Sequence, residues 1–193
     1  MANLTEINYV DNSPEGAEKN VSDFYKKWTT DAIKADLDTH RSRMVNICMN
    51  LTGEFNKSSV VRSNNAFLGQ EVWMIGKRTF NRKGTVGTHH YEHIKHCEEI
   101  EPVFEHLHAN GYTIYAVDNI PEYNPIAAYD VKFPEKSAFV YGEEMLGLSE
   151  KVIKMCDAVV YIEQYGSVRS INVAQAASVL MYEYRRQHRN FDN

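Results

Sequence analysis

Apolar residues fall in two rhythms along this chain. Residues 44–51, 71–76, 112–117, 137–141 and 158–162 are short, nearly continuous apolar runs, and they read as five strands. Between them, apolar positions recur at helical spacing over 57–68, 102–110 and 171–187, and Gly111 supplies a stop signal for the second of these helices. Upstream, residues 13–38 read as a further helix, opened by Ser13 and Pro14 and carrying Val21, Phe24, Tyr25, Trp28 and Ala32 on one face. Apolar strands alternating with helices predict an α/β fold with a mostly parallel sheet covered on both faces. Ligands of such sheets usually sit at the carboxyl ends of the strands. No internal repeat or low-complexity segment interrupts this pattern. It divides the chain into a helical extension, residues 1–40, and a single α/β domain, residues 41–193.

Composition narrows the class. A hydrophobic fraction of 43% is that of an ordinary globular protein. No apolar run is long enough to span a bilayer, and the first residues are polar and acidic, unlike a secretory or transit leader, so a cytoplasmic protein is expected. Cys48, Cys97 and Cys156 are far apart with no CxxC pair, which suits buried reduced thiols. The net charge of −5 argues against a generally basic nucleic-acid binder, but the distribution matters more than the sum. Residues 1–40 hold eight acids against four lysines, leaving the remainder close to neutral. Within that remainder Lys77, Arg78, Arg82, Lys83 and Lys95 crowd one stretch, and Arg185, Arg186 and Arg189 form a second basic cluster. Both are candidate phosphate contacts, against the alternative of solvated charge. His89, His90, His93 and His96 beside Cys97 fit a single metal-binding face poorly, so no metal is expected.

Three segments carry candidate chemistry. The first, Asn56 to Gly69, opens with Asn56 as a possible helix cap and projects Arg62 from the helix. The second, Tyr141-Gly142-Glu143-Glu144-Met145-Leu146-Gly147-Leu148-Ser149, follows a strand directly. A glycine there lets the chain turn and bring its amides close to a ligand, although an ordinary strand-to-helix turn has the same pattern. The third, residues 158–183, runs from a strand through a turn at Gly166 to Ser170-Ile171-Asn172 at a helix start. Ala174, Ala176, Ala177 and Ser178 then give the helix a small-residue face suited to close packing. No G-x-G-x-x-G follows an early strand, which argues against a Rossmann-type dinucleotide site.

Taken in order and spacing, these segments resemble the SpoU (TrmH-type) branch of the SPOUT RNA methyltransferases over about residues 43–185. Asn56 and Arg62 match its first motif. Gly142, Glu144, Gly147 and Leu148 match its second, and Ile162, Gly166, Ser170, Asn172, Ala176 and Glu183 its third. The stretch Gly87-Thr88-His89-His90 resembles a family loop between the first two. Ser58 stands where the family commonly has Gly, Glu163 where it has Pro, and Ile171 where it has Leu.

The resemblance implies a sheet closed by a deep carboxyl-terminal trefoil knot, S-adenosylmethionine as cofactor, and methylation of a ribose 2′-hydroxyl in structured RNA. It implies a homodimer whose site is shared between chains. Gly142, Ile162, Ile171, Leu148 and Gly166 are the implied cofactor-binding residues. Arg62, Asn56, Glu144, Ser170 and Asn172 are the implied catalytic group, the others orienting Arg62 and the ribose. Arg is a poor base, with a pKa above about 12. Binding the adjacent phosphate and stabilising the nascent alkoxide therefore suits Arg62 better than abstracting the proton. Lys77, Arg78, Arg82, Lys83, His89 and Arg169 are the expected RNA contacts. The short region before the α/β domain favours tRNA over rRNA. A catalytically silent RNA-binding protein of the same fold is the alternative, and neither DNA nor a membrane is expected as a partner.

Overall fold

The computed structural model describes residues 4–7 and 19–189. Alternation within the strands decides the layers. β1 (Thr5–Glu6), β2 (Val45–Met49), β3 (Glu71–Ile75), β4 (Ile94–Cys97), β5 (Thr113–Val117), β6 (Ile126–Ala127), β7 (Ser137–Tyr141) and β8 (Ala158–Tyr161) form one sheet in the order β1-β4-β3-β2-β7-β5-β8-β6. The neighbours are parallel throughout except β1 with β4, which is antiparallel. The helices are α1 (Thr30–His40), α2 (Glu54–Ala66), α3 (Arg82–Thr85), α4 (Glu101–Ala109), α5 (Glu150–Met155) and α6 (Val173–Gln187). Successive strand side chains point to opposite faces. Cys48, Val72, Met74 and Phe139 therefore pack with Val60 and Val61 of α2 and Ala177, Leu180 and Met181 of α6. Ile47, Trp73, Ala138 and Val140 pack on the other face with Val103, Phe104 and Leu107 of α4 and Val152 and Ile153 of α5.

The five predicted strands and three predicted helices of the domain are all present with ends shifted by a few residues. Two-residue strands β1 and β6, strand β4 and helices α3 and α5 are additional to them. The single helix expected over 13–38 is not what forms. Residues 13–18 lie outside the described residues. Asp23–Tyr25 make one 3₁₀ turn, and α1 begins afresh at Thr30, capped by Thr29, whose Oγ1 accepts from the Ala32 amide at 3.2 Å. The aromatic spacing that suggested a continuous helix reflects local stacking instead: the ring centroids of Phe24, Tyr25 and Trp28 lie 4.9–5.5 Å apart.

The described part of residues 1–40 packs on the rest of the fold. β1 adds an edge strand beside β4, and Ile33 of α1 is fully buried. Arg41, just past α1, reaches inward to Glu92 at 3.1 Å and also pairs with Asp38 at 2.6 Å. Glu92 accepts in turn from Asn64 and Asn65, Asn64 Oδ1 accepts from Asn46 Nδ2 at 2.8 Å, and Asn46 Oδ1 accepts from the Tyr141 hydroxyl at 2.8 Å. A continuous buried polar line thus runs from Arg41, just past α1, to the last residue of β7. Burial raises the Glu92 carboxyl above its ordinary value and the Arg41 charge opposes that.

Candidate active site

Register brings the informative turns together. In the sheet Val117 lies opposite Tyr141 on one side and Val160 on the other, so the carboxyl ends of β7, β5 and β8 are adjacent. Gly142 leaves the first of these and Ile162 the last, on either side of Asp118. The turn after β7 folds back tightly: the Gly147 amide donates to the Glu143 carbonyl at 2.8 Å, and Gly147 takes a positive φ of +67°. A side chain on Gly142 would begin 2.4 Å from the carbonyl carbon of Gly147 and 2.6 Å from the Leu148 nitrogen, so only glycine fits. Asp118 holds this loop, its Oδ2 accepting from the Leu148 amide at 3.3 Å. Leu148 is buried; Ile162 and Ile171 are partly buried, Ile162 against the α2–α6 side of the core. Gly166 lies in an exposed bend.

The catalytic candidates divide. Glu144 reaches across to the start of α2. Its Oε2 accepts from the Thr52 amide at 3.2 Å and hydroxyl at 3.1 Å, and its Oε1 from the Gly53 amide at 3.1 Å and from Asn56 Nδ2 at 2.6 Å. Asn56 Oδ1 accepts from Asn172 Nδ2 at 3.0 Å, and Asn172 Oδ1 caps α6 by accepting from the Ala174 amide at 2.9 Å. A carboxylate can only accept, so it dictates the orientation of both amides down this line. Desolvation raises the Glu144 carboxyl, but the bonds from Asn56 and from the Gly53 and Thr52 amides outweigh it and hold the pKa below 4.5. A negative charge here also suits the positive amino end of α2. Asn56 is therefore not the cap that its position suggested: Gly53 caps α2, without a side chain, and Glu144 from another motif takes the amides of Gly53 and of Thr52 just before it.

Arg62 and Ser170 stand outside this network. Both are exposed, and among the described residues neither has a hydrogen-bond partner. Six helical residues separate Arg62 from Asn56, which places it about 120° around α2 and about 9 Å along it. Within one chain Asn56, Glu144 and Asn172 thus orient one another rather than Arg62.

Lys77, Arg78, Arg82, Lys83 and Arg169 are exposed. His89, expected among the RNA contacts, is instead buried, bonded through Nδ1 to the Thr85 hydroxyl at 2.6 Å and packed edge-on against Phe80. The neighbouring histidines do not converge: His93 lies between Glu6 and Asp38, and His96 Nε2 donates to the Gly76 carbonyl. Among the described residues no group of three or more His, Cys, Asp or Glu is placed to hold a metal. Sequence reasoning missed two residues. Lys57 is buried, and its ammonium holds the start of the basic loop by donating to the Lys77 and Thr79 carbonyls at 2.9 and 3.2 Å; burial lowers its pKa. Asp118, which pins the Gly142 loop, is the other. The small face of α6 turns inward: Ala174 and Ala177 are buried and Ser178 meets Ser63 of α2 at 2.8 Å. The exposed stripe of α6 is Gln175, Val179, Tyr182 and Arg186.

A mostly parallel sheet with the turns after β7 and β8 gathered at its carboxyl end, and a Glu–Asn–Asn line joining the three motifs, defines an α/β protein with a strand-end site. The chain belongs to the SpoU rRNA Methylase family, whose model matches residues 43–182. It is 27% identical over 136 residues to the tRNA (guanosine(18)-2′-O)-methyltransferase of Thermus thermophilus, covering 68% of this chain and 69% of that one. It spans 5% of a mouse relative, the tRNA (guanosine(18)-2′-O)-methyltransferase TARBP1, with 38% identity over 79 residues, 41% of this chain. In fold it is similar to the A. aeolicus TrmH/SpoU tRNA modifying enzyme, at a TM-score of 0.74 and 23% identity over 82% of each chain. It is also similar to the SpoU methyltransferase AviRb from Streptomyces viridochromogenes, determined in complex with the cofactor AdoMet. There the TM-score is 0.68 and the identity 22%, covering 79% of this chain and 61% of that one.

Proposed function

We propose that this chain methylates a ribose 2′-hydroxyl in structured RNA, with tRNA the favoured substrate, using S-adenosylmethionine. The single observation carrying this reading is the hydrogen-bonded line from Glu144 through Asn56 to Asn172, which joins one residue from each of the three motifs. Gly142, which leaves no room for a side chain, and the partly buried Ile162 and Ile171 support a cofactor site at the strand ends, with Leu148 packed beneath the Gly142 turn. The cofactor supplies a methyl group already activated by the positive sulfonium. The residues of this chain then align the ribose and manage its proton, and alignment alone contributes up to roughly 7–11 kcal/mol in favourable cases. Asn56 and Asn172 hold the ribose side in one orientation because Glu144 fixes both amides. Arg62 binds the phosphate next to the target and stabilises the alkoxide as the proton leaves.

The exposure of Arg62, turned away from Asn56 of its own chain, favours a homodimer in which it serves the other copy's site. The exposed stripe of α6 is a candidate interface. The same reading carries a trefoil knot in the segment through Ile162 to Asn172, a cytoplasmic location, residues 1–40 as an extension, and Lys77, Arg78, Arg82, Lys83 and Arg169 as phosphate contacts. Among the described residues no helix is long and apolar enough to cross a membrane.

Incubation with labelled S-adenosylmethionine and bulk tRNA or rRNA, followed by mapping of methylated riboses, tests the proposal. Transfer to tRNA is expected. Cofactor binding with no RNA methylated would favour the silent RNA-binding alternative.

A further inference from the structure

Just beyond β8, Glu163 serves as the common acceptor of two exposed phenols. Ala127 lies opposite Tyr161 in the sheet, and the Ala128 amide donates to the Tyr161 carbonyl at 2.9 Å, so Tyr129 emerges beside the end of β8. There its hydroxyl donates to Glu163 Oε2 at 3.0 Å. The Tyr165 hydroxyl donates to the same oxygen. The side chain of Tyr129 is nonetheless 57% exposed and that of Tyr165 89% exposed. One carboxylate thus ties two phenols by their edges and leaves ring surface open to solvent, next to Ile162 of the strand-end site. The bond to Glu163 also pushes the Tyr129 phenol up to about 12, so it stays a donor at any physiological pH.

Such an arrangement suits a flat, uncharged partner. A shared carboxylate repels phosphate, and charged side chains are disfavoured in the core of a protein interface. Tyrosine has few rotatable bonds, and tethering its hydroxyl removes freedom before binding rather than during it. Unpaired RNA bases are characteristically held by stacking on aromatic rings. Arg169, exposed in the same segment, offers a cation for a nearby phosphate. We propose that Tyr129 and Tyr165, tied by Glu163, stack on an unpaired nucleobase of the RNA beside the target nucleotide. This rests on the reading of the chain as an RNA methylase and adds a specificity-determining contact to it.

The test compares the full chain with Y129A/Y165A, Y129F/Y165F and E163A, measuring KM for bulk tRNA, direct tRNA affinity, cofactor affinity, thermal midpoint and oligomeric state. The double alanine variant is expected to weaken tRNA binding at least about fivefold, with cofactor affinity, thermal midpoint and oligomeric state unchanged. The double phenylalanine variant and E163A, which keep the rings untied, should fall between it and the wild type. Wild-type tRNA affinity in the alanine variant overturns the proposal, as does a change of oligomeric state accompanying the loss. Wild-type protein that binds tRNA but methylates no RNA would sink the enzymatic reading alone, because the binding comparison still reads the clamp.

Discussion

Replacing Gly142 by alanine tests the strand-end site most directly. The new methyl carbon would lie 2.4 Å from the carbonyl carbon of Gly147, where ordinary contact begins at 3.4 Å. The atoms in the way are backbone, so relief requires the loop to move by about 1 Å, the difference between those two distances. That loop is held by the Gly147–Glu143 turn and by Asp118 on the Leu148 amide, and moving it strains both. Overpacking of this kind costs about 1–3 kcal/mol, and each kcal/mol lowers the melting temperature by about 2–4 °C in a chain of this size. The displaced loop also carries Glu144, so the Glu144–Asn56 bond should loosen. Calorimetric titration with S-adenosylmethionine, beside a thermal melt, measures both consequences. The expected outcome is a folded variant, several degrees less stable, with cofactor affinity down at least about tenfold, equivalent to about 1.4 kcal/mol. Wild-type affinity and melting temperature together would refute the argument that this turn is a close-packed cofactor cradle.

Arg62→Ala is expected to abolish methyl transfer while leaving cofactor affinity and melting temperature near wild type, since Arg62 is exposed and unbonded among the described residues; wild-type turnover would disprove its role. Glu144→Gln sets an amide donor against donors and should cost about 1 kcal/mol, the charged hydrogen bonds being weakened by solvent. Because folding lowers the Glu144 pKa, its stabilisation is fully present above 4.5 and is lost as the pH falls through the lower folded value. Denaturation of wild type and E144Q should therefore differ at neutral pH and converge in acid, and a constant difference would contradict the shift. Neutralising Lys77, Arg78, Arg82 and Lys83 together should weaken tRNA binding and flatten its dependence on salt, by about 0.7–0.9 in log–log slope per lost phosphate contact; an unchanged slope would place the RNA elsewhere.

The strands legible in the sequence were those buried on both faces, because burial on both sides demands continuous apolar residues. β4 escaped notice for the complementary reason. Its Ile-Lys-His-Cys sets two polar residues side by side in the middle, with Lys95 and His96 only partly buried, and its outer neighbour is the two-residue β1. The histidines around it therefore looked like a loop touching RNA, whereas His89 packs on Phe80 and His93 bonds to Glu6 and Asp38. Asn56, Glu144 and Asn172 were found through motif spacing, but their hydrogen-bonded line was not, since 116 positions separate Asn56 from Asn172. Asp118 was invisible for the same reason. Lys57 was invisible because a lysine in a polar helix is normally solvated, and nothing local signals that two carbonyls await it. Arg62 was found as a residue, while its direction depended on the phase of α2 relative to Asn56.

Likeness to the family begins at residue 43, but the physical unit begins earlier. Arg41 lies two positions before that border and neutralises Glu92, deep under α2. A chain begun at residue 43 would retain every motif and strand-end turn. It would also strand an anion in the interior, and removing one partner of such a pair costs about 3–5 kcal/mol. The disturbance would pass along Asn64 and Asn46 to the hydroxyl of Tyr141, the residue before Gly142. The residues just ahead of that border thus supply the counter-ion of the interior, and removing them is a change made at the turn through Gly142 by way of buried side chains.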